Sequence, residues 1–211
     1  MKTLEIQDSV RLPPWVRDNT TQTYYHEEWS CVPLQQSQIF EHMCLFIFQQ
    51  GLQWSTVLSF RLAFTKVFAG FDPKKLAQWG DADTDKVLGN SSIIRNRAKI
   101  EACIHNAAML VEHSVHLPSE LLARFPDPLV VCEDDASLPK THILTDEFSD
   151  FLKDCGLQRM SPVLTCSLAQ ACGLLISQQH VRTRTSQGEN LLKHGMPAPH
   201  KINIPGGLGL G

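Results

Sequence analysis

One stretch, Phe40-Glu41-His42-Met43-Cys44-Leu45-Phe46-Ile47-Phe48, constrains the fold of this chain more than any other. Ser37 can cap a helix that runs to about Gln50 and puts Phe40, Met43, Cys44 and Ile47 on one face. Leu45, Phe46 and Phe48 then make the helix apolar nearly all round, the pattern of a fully buried helix. Other elements must therefore surround it. A chain of 211 residues is long enough to do this with one core, or with two small lobes sharing a cleft.

The punctuation around that helix supplies the remaining elements. Gly51 ends it, and the turn Gly51-Leu52-Gln53 leads into a second helix from Trp54 to about Phe68. Asp72-Pro73 pairs an N-cap oxygen with a proline at the first helical position and predicts a helix over 73–79. A short helix near Thr84 carries Val87 and Leu88, Gly89-Asn90-Ser91-Ser92 breaks it, and a long helix follows from about Asn96 to Glu112. Pro118, Pro126, Pro128 and Pro139 limit regular structure over 113–145, and two further helices fit 146–155 and 162–176. Residues 1–23, with Pro13-Pro14, read as an irregular arm, 24–180 as a helical domain, and 181–211 as a polar, flexible tail. There is no internal repeat and no alternation that predicts a sheet, so the fold class is all-α.

Composition excludes some functions and leaves others open. No stretch approaches the roughly 18 apolar residues of a membrane span. The N-terminus lacks a basic segment followed by an apolar core, which predicts a cytoplasmic protein. Seven cysteines, none in a CxxC pair and several within apolar runs, are expected to be reduced thiols. The net charge of −3 argues against non-specific nucleic-acid binding by the whole surface. Its distribution is uneven, however: residues 111–155 hold ten acids against Arg124, Lys140 and Lys153, which leaves the rest of the chain net positive.

Four groups of residues, in order along the chain, resemble one known family. The first is Tyr25-His26-Glu27-Glu28-Trp29, followed by Val32-Pro33. The second starts at Phe40-Glu41 and Cys44-Leu45 and continues through Gln49 to Gly51-Leu52-Gln53-Trp54 and Thr56-Val57-Leu58. The third joins Phe71-Asp72-Pro73 to Ile93-Ile94-Arg95-Asn96-Arg97, Lys99-Ile100 and Asn106-Ala107, and the fourth is Gln170-Ala171-Cys172-Gly173-Leu174. Together they span about residues 13–180 and are similar to the 3-methyladenine DNA glycosylase I family, a branch of the helix-hairpin-helix DNA glycosylases.

The resemblance implies two helical lobes around a base-binding cleft, and a monomer acting on double-stranded DNA that contains alkylated bases. Such an enzyme extrudes a damaged purine at a cost of a few kcal/mol and cleaves its N-glycosidic bond. By that likeness Tyr25 and Trp54 sandwich the base, and Trp29 matches a conserved tryptophan that is either pocket or core. Gly51-Leu52 becomes the wedge that enters the base stack, or, on a plainer reading, a helix-capping turn with its hydrophobic contact. Ser92, Arg95 and Lys99 fall where a hairpin and helix N-terminus would hold backbone phosphates. Alternate spacing keeps Arg95, Arg97 and Lys99 off one helical face, and Arg97 is the candidate for a structural role.

The departures from the family fall on its chemistry. The first zinc cysteine position is Pro13, His26 keeps one histidine position, the second is shifted to His180 or lost to Gln178, and no cysteine follows Cys172. Two or fewer ligands cannot close a tetrahedral site, so no zinc and no other cofactor is expected. The family's pocket glutamate position is Phe46, which offers stacking and cation–π attraction but no hydrogen-bond acceptor. A family tyrosine position in the pocket is Gln22, and the hairpin glycine position is Ser92. Glu28 and Glu41 are the candidates for a replacement carboxylate. Three readings follow: an active glycosylase on alkylated purines, a catalytically degenerate DNA-binding relative, or a scaffold that kept only the fold.

Overall fold

The computed structural model describes residues 10–183. Ten α-helices run in chain order: α1 (Asn19–Glu27), α2 (Gln36–Gln49), α3 (Trp54–Ser59), α4 (Arg61–Val67), α5 (Pro73–Leu76), α6 (Asp81–Leu88), α7 (Arg97–Glu112), α8 (Leu117–Arg124), α9 (Ile143–Asp154) and α10 (Pro162–Ala171). Two short strands, β1 (Leu129–Cys132) and β2 (Leu175–Ser177), and 3-10 turns at Ala69–Phe71 and Asp135–Ser137 lie between or after them, and a further helical stretch follows β2.

Helix α2 is the centre of the molecule. Every residue from Ile39 to Phe48 except Glu41 is buried. Helices α3, α5, α7, α8 and α10 pack around it, as an all-round apolar helix requires. It begins at Gln36 rather than at a Ser37 cap, and Gln35 caps it without a side-chain bond. Tertiary bonds hold that first turn instead: Gln36 Oε1 accepts from Leu117 N at 2.8 Å and Gln36 Nε2 donates to Val115 O at 3.1 Å.

Several boundaries follow the capping chemistry. Asp72 accepts from Lys74 N and Pro73 opens α5, although that helix stops at Leu76. Asn96 accepts from Lys99 N at 3.1 Å to start α7, and Ser161 with Pro162 starts α10. Gly51, at φ 81°, turns the chain out of α2.

Further features depart from the sequence reading, among them the helix expected over 162–176, which ends at Ala171. The helix expected from Trp54 to Phe68 breaks at Phe60, where Ser59 Oγ bonds back to Thr56 O at 2.7 Å. The split lets Phe64 reach Phe48, ring centroids 4.4 Å apart, while Arg61 turns toward Glu41. Helix α1 starts at Asn19, inside the span expected to be irregular, because Asp18 and Thr21 form a reciprocal capping box. The segment from 113 to 145 contains α8. Finally, β1 and β2 form a parallel two-stranded ribbon pairing Leu129 with Leu175, where no sheet was expected. Residues 178–183 are helical, and the rest of the polar tail lies outside the described residues.

Candidate base-binding cavity

A cavity of about 490 Å³ opens between the N-terminal arm, the turn after α2, the Asp135–Ser137 turn and α10. This is the size of a pocket for a small ligand. Trp15, Trp29 and Trp54 form its aromatic wall, and Leu52, 40% exposed, stands at its edge. The rings are packed together: Trp15 and Trp29 lie 5.0 Å apart edge to face, and Trp54 meets Tyr24 at 5.3 Å and Phe46 at 5.2 Å.

A stapled loop positions Trp29. Ser30 sits at φ 59° and its hydroxyl donates to Gln170 O at 3.0 Å, while Val32 N donates to Ala171 O at 3.1 Å. Gln170 Nε2 in turn donates to Pro139 O at 2.7 Å. The Gln170-Ala171-Cys172-Gly173 motif therefore ties three walls of the cavity together rather than contributing reactive groups. Among the described residues, the buried Trp29 Nε1 has no hydrogen-bond partner.

The expected site residues separate into those that meet the cavity and those that do not. Trp54, Trp29 and Leu52 line it, and Gly51 supplies the turn that exposes Leu52. Tyr25 does not pair with Trp54. The ring against Trp54 is Tyr24, and the Tyr25 hydroxyl donates to Asp135 instead. Burial, and then this bond to Asp135, push the Tyr25 phenol well above its usual range, so it stays a neutral donor. Phe46 lies behind Trp54 in the core, and Gln22 is exposed on α1 away from the cavity.

Glu28 and Glu41 are engaged elsewhere. Arg61 grips Glu41 with both fork nitrogens, at 2.9 and 3.1 Å, and also bonds Glu28. Burial lowers the Arg61 pKa, yet the two carboxylates outweigh it and raise it overall, so the guanidinium stays charged. Neither glutamate lines the cavity, and the replacement-carboxylate role expected for them has no support in this geometry.

The basic residues of the 89–99 segment divide as well. Arg97 pairs with Asp85 at 2.5 Å and Glu101 at 3.3 Å, the structural role anticipated for it. Lys99 is not on a phosphate-facing surface: it is buried, and its ammonium donates to Phe48 O at 2.7 Å and Gln50 O at 2.5 Å. Burial lowers its pKa, but two carbonyls at the end of α2 hold it. Ser92 closes an exposed turn through its N–H and hydroxyl to Asn90 Oδ1 at 2.9 and 2.6 Å. Arg95 is exposed, with no ion pair among the described residues.

Sequence reasoning missed Trp15, Tyr24 and Asp135. Trp15 and Tyr24 were visible as aromatics beside the expected ones. Asp135 was hidden in the acidic run Glu133-Asp134-Asp135, where nothing local separates it from its neighbours. It is only 2% exposed and lines the cavity. Among the described residues no three His, Cys, Asp or Glu side chains gather as a metal site. No described helix is long and apolar enough to cross a membrane.

The helical fold is similar to that of solved 3-methyladenine DNA glycosylases. A crystal structure of 3-methyladenine DNA glycosylase I matches with a TM-score of 0.71 and 28% identity, covering 78% of this chain and 94% of that one. The DNA-3-methyladenine glycosylase 1 of Escherichia coli K12 is 31% identical over 167 residues, 76% of this chain and 89% of the relative. A Haemophilus influenzae DNA-3-methyladenine glycosylase is 41% identical over 95 residues, 44% of this chain and 51% of the relative. The methyladenine glycosylase family model matches residues 15–185, and the chain belongs to that family.

Proposed function

We propose that this protein is a DNA glycosylase of base-excision repair that swings an alkylated purine out of duplex DNA and hydrolyses its N-glycosidic bond. In that reaction the bond from the sugar carbon to the base breaks, water supplies the new oxygen on the sugar, and the base leaves. Alkylation makes the purine cationic, so the leaving group needs little protonation. The reading rests on one observation: the aromatic cavity opens beside Leu52, so a wedge and a slot for the displaced base lie side by side. An apolar side chain inserted at a base step is a known way to hold it open. The 89–96 segment and the start of α7 are assigned to the DNA backbone as a hairpin, with exposed Arg95 as the cation. We further propose that the protein acts as a cytoplasmic monomer without zinc.

A second reading, a DNA-binding relative without chemistry, is favoured by one feature, Phe46 where a carboxylate is expected. Chromatography of free bases from methylated duplex DNA separates the two. The enzyme reading expects release of 3-methyladenine well above the spontaneous rate, and at least about tenfold loss in Leu52→Gly, whose exposed side chain adds little to the core. Duplex binding with no release selects the second reading.

A further inference from the structure

The cavity contains a carboxylate that neither the family likeness nor the local sequence pointed to. Asp135 is 2% exposed, lines the cavity, and makes no ion pair among the described residues although Arg17 and Lys140 also line it. Those two cations are exposed, and the other acid there, Asp18, is an exposed cap occupied by Thr21 N at 2.9 Å. Burying a lone carboxylate is costly unless donors replace its water. Here Tyr25 donates to one oxygen of Asp135 and Ser177 to the other. Each carboxylate oxygen accepts more than one hydrogen bond, so capacity remains for a ligand after both hydroxyls are bound.

We propose that Asp135 is the specificity-determining carboxylate of this cavity, recognising the positive charge of an alkylated purine. This rests on the glycosylase reading for its substrate class. Phe46, behind Trp54, leaves that side of the cavity without a carboxylate, and Asp135 offers one from the turn after β1. Tyr25 and Ser177 are positioning residues that fix the carboxylate. The arrangement favours a cationic base over a neutral one, because the charge is met by an anion already desolvated by the fold.

Two measurements test this. Asp135→Asn keeps the size and an acceptor oxygen but removes the charge. It is expected to lower release of cationic 3-methyladenine by about ten- to hundredfold, the scale of one charge-assisted hydrogen bond. Release of a neutral lesion, hypoxanthine, and affinity for a duplex carrying an abasic-site analogue are expected to change much less. A purely structural Asp135 would impair all three alike, and that result, or full retention of 3-methyladenine release, overturns the proposal. Should the variant not fold, the wild type gives the second measurement: quenching of tryptophan fluorescence by 7-methylguanosine in its cationic form against guanosine. Tighter binding of the cation by about tenfold or more supports an anionic wall, and equal affinity overturns it. A wild type that prefers the cation but releases no base ends the glycosylase reading alone, whereas one that releases base with Asp135→Asn unimpaired ends only the role of Asp135.

Discussion

At the residue scale, the cavity depends on contacts that leave no room for an extra methyl group. Gly173 has φ 70°, and a Cβ there would lie 2.5 Å from the Ser30 carbonyl oxygen. Gly173→Ala must therefore adopt a disfavoured backbone and push away the loop that carries Trp29. The expected loss is about 1–3 kcal/mol or more, measured by urea denaturation, with a change in tryptophan emission in the folded state. His42 offers a second test. It is buried beside Tyr24 and Phe46, with Nδ1 3.0 Å from Gln38 O, and burial holds its pKa below the usual histidine value. The unfolded chain then binds more protons than the native one as pH falls below the ordinary value. The stability this group permits is complete above about pH 6.5 and is lost as pH drops toward the lower native pKa. His42→Phe, which keeps the ring, should show a shallower fall in Tm between about pH 7 and 5 than the wild type.

At the scale of elements, Lys99 joins the start of α7 to the end of α2. Its ammonium holds Phe48 O and Gln50 O immediately before the Gly51-Leu52 turn, so the element assigned to the DNA backbone is tied to the wedge. Lys99→Met keeps the stem and removes the donors, leaving two carbonyls poorly satisfied. Loss of about 2–3 kcal/mol in urea denaturation at unchanged m-value is expected. The same elements show what the sequence made legible. The burial of α2, the Asp72-Pro73 start, the Asn96 start and the turn at Gly51 all follow from local chemistry, and all are present. The break at Phe60 was not legible, because it depends on where Phe48 and Glu41 stand in the folded molecule. The ribbon was hidden for a similar reason: four residues of β1 show no alternation, and their partner lies more than forty residues away.

At the scale of the whole molecule, a net charge of −3 is compatible with the proposed local DNA-binding surface because the acids concentrate in 111–155. Arg95 is exposed and makes no ion pair among the described residues, whereas Arg97 is held by Asp85 and Glu101. Arg95→Ala should weaken duplex binding whatever the sequence and reduce the slope of log affinity against log salt by about 1, read by fluorescence anisotropy. Arg97→Ala should leave that slope nearly unchanged. The candidate site was only partly legible: Trp54, Trp29 and Leu52 could be read from motifs, but Tyr24, not the expected Tyr25, meets Trp54. On a helix, adjacent residues point about 100° apart, so motif likeness alone does not decide which of the pair meets Trp54.

The small parallel ribbon also sets the order in which this molecule can be completed. Asp135 follows β1, but one of its two hydroxyl partners, Ser177, is the last residue of β2. During synthesis the central helix and most of its coat emerge well before that strand does. A nascent polypeptide halted short of Leu175 would already hold its core yet lack one side of the carboxylate's seat, so discrimination between charged and neutral purines would be the final property the growing chain acquires.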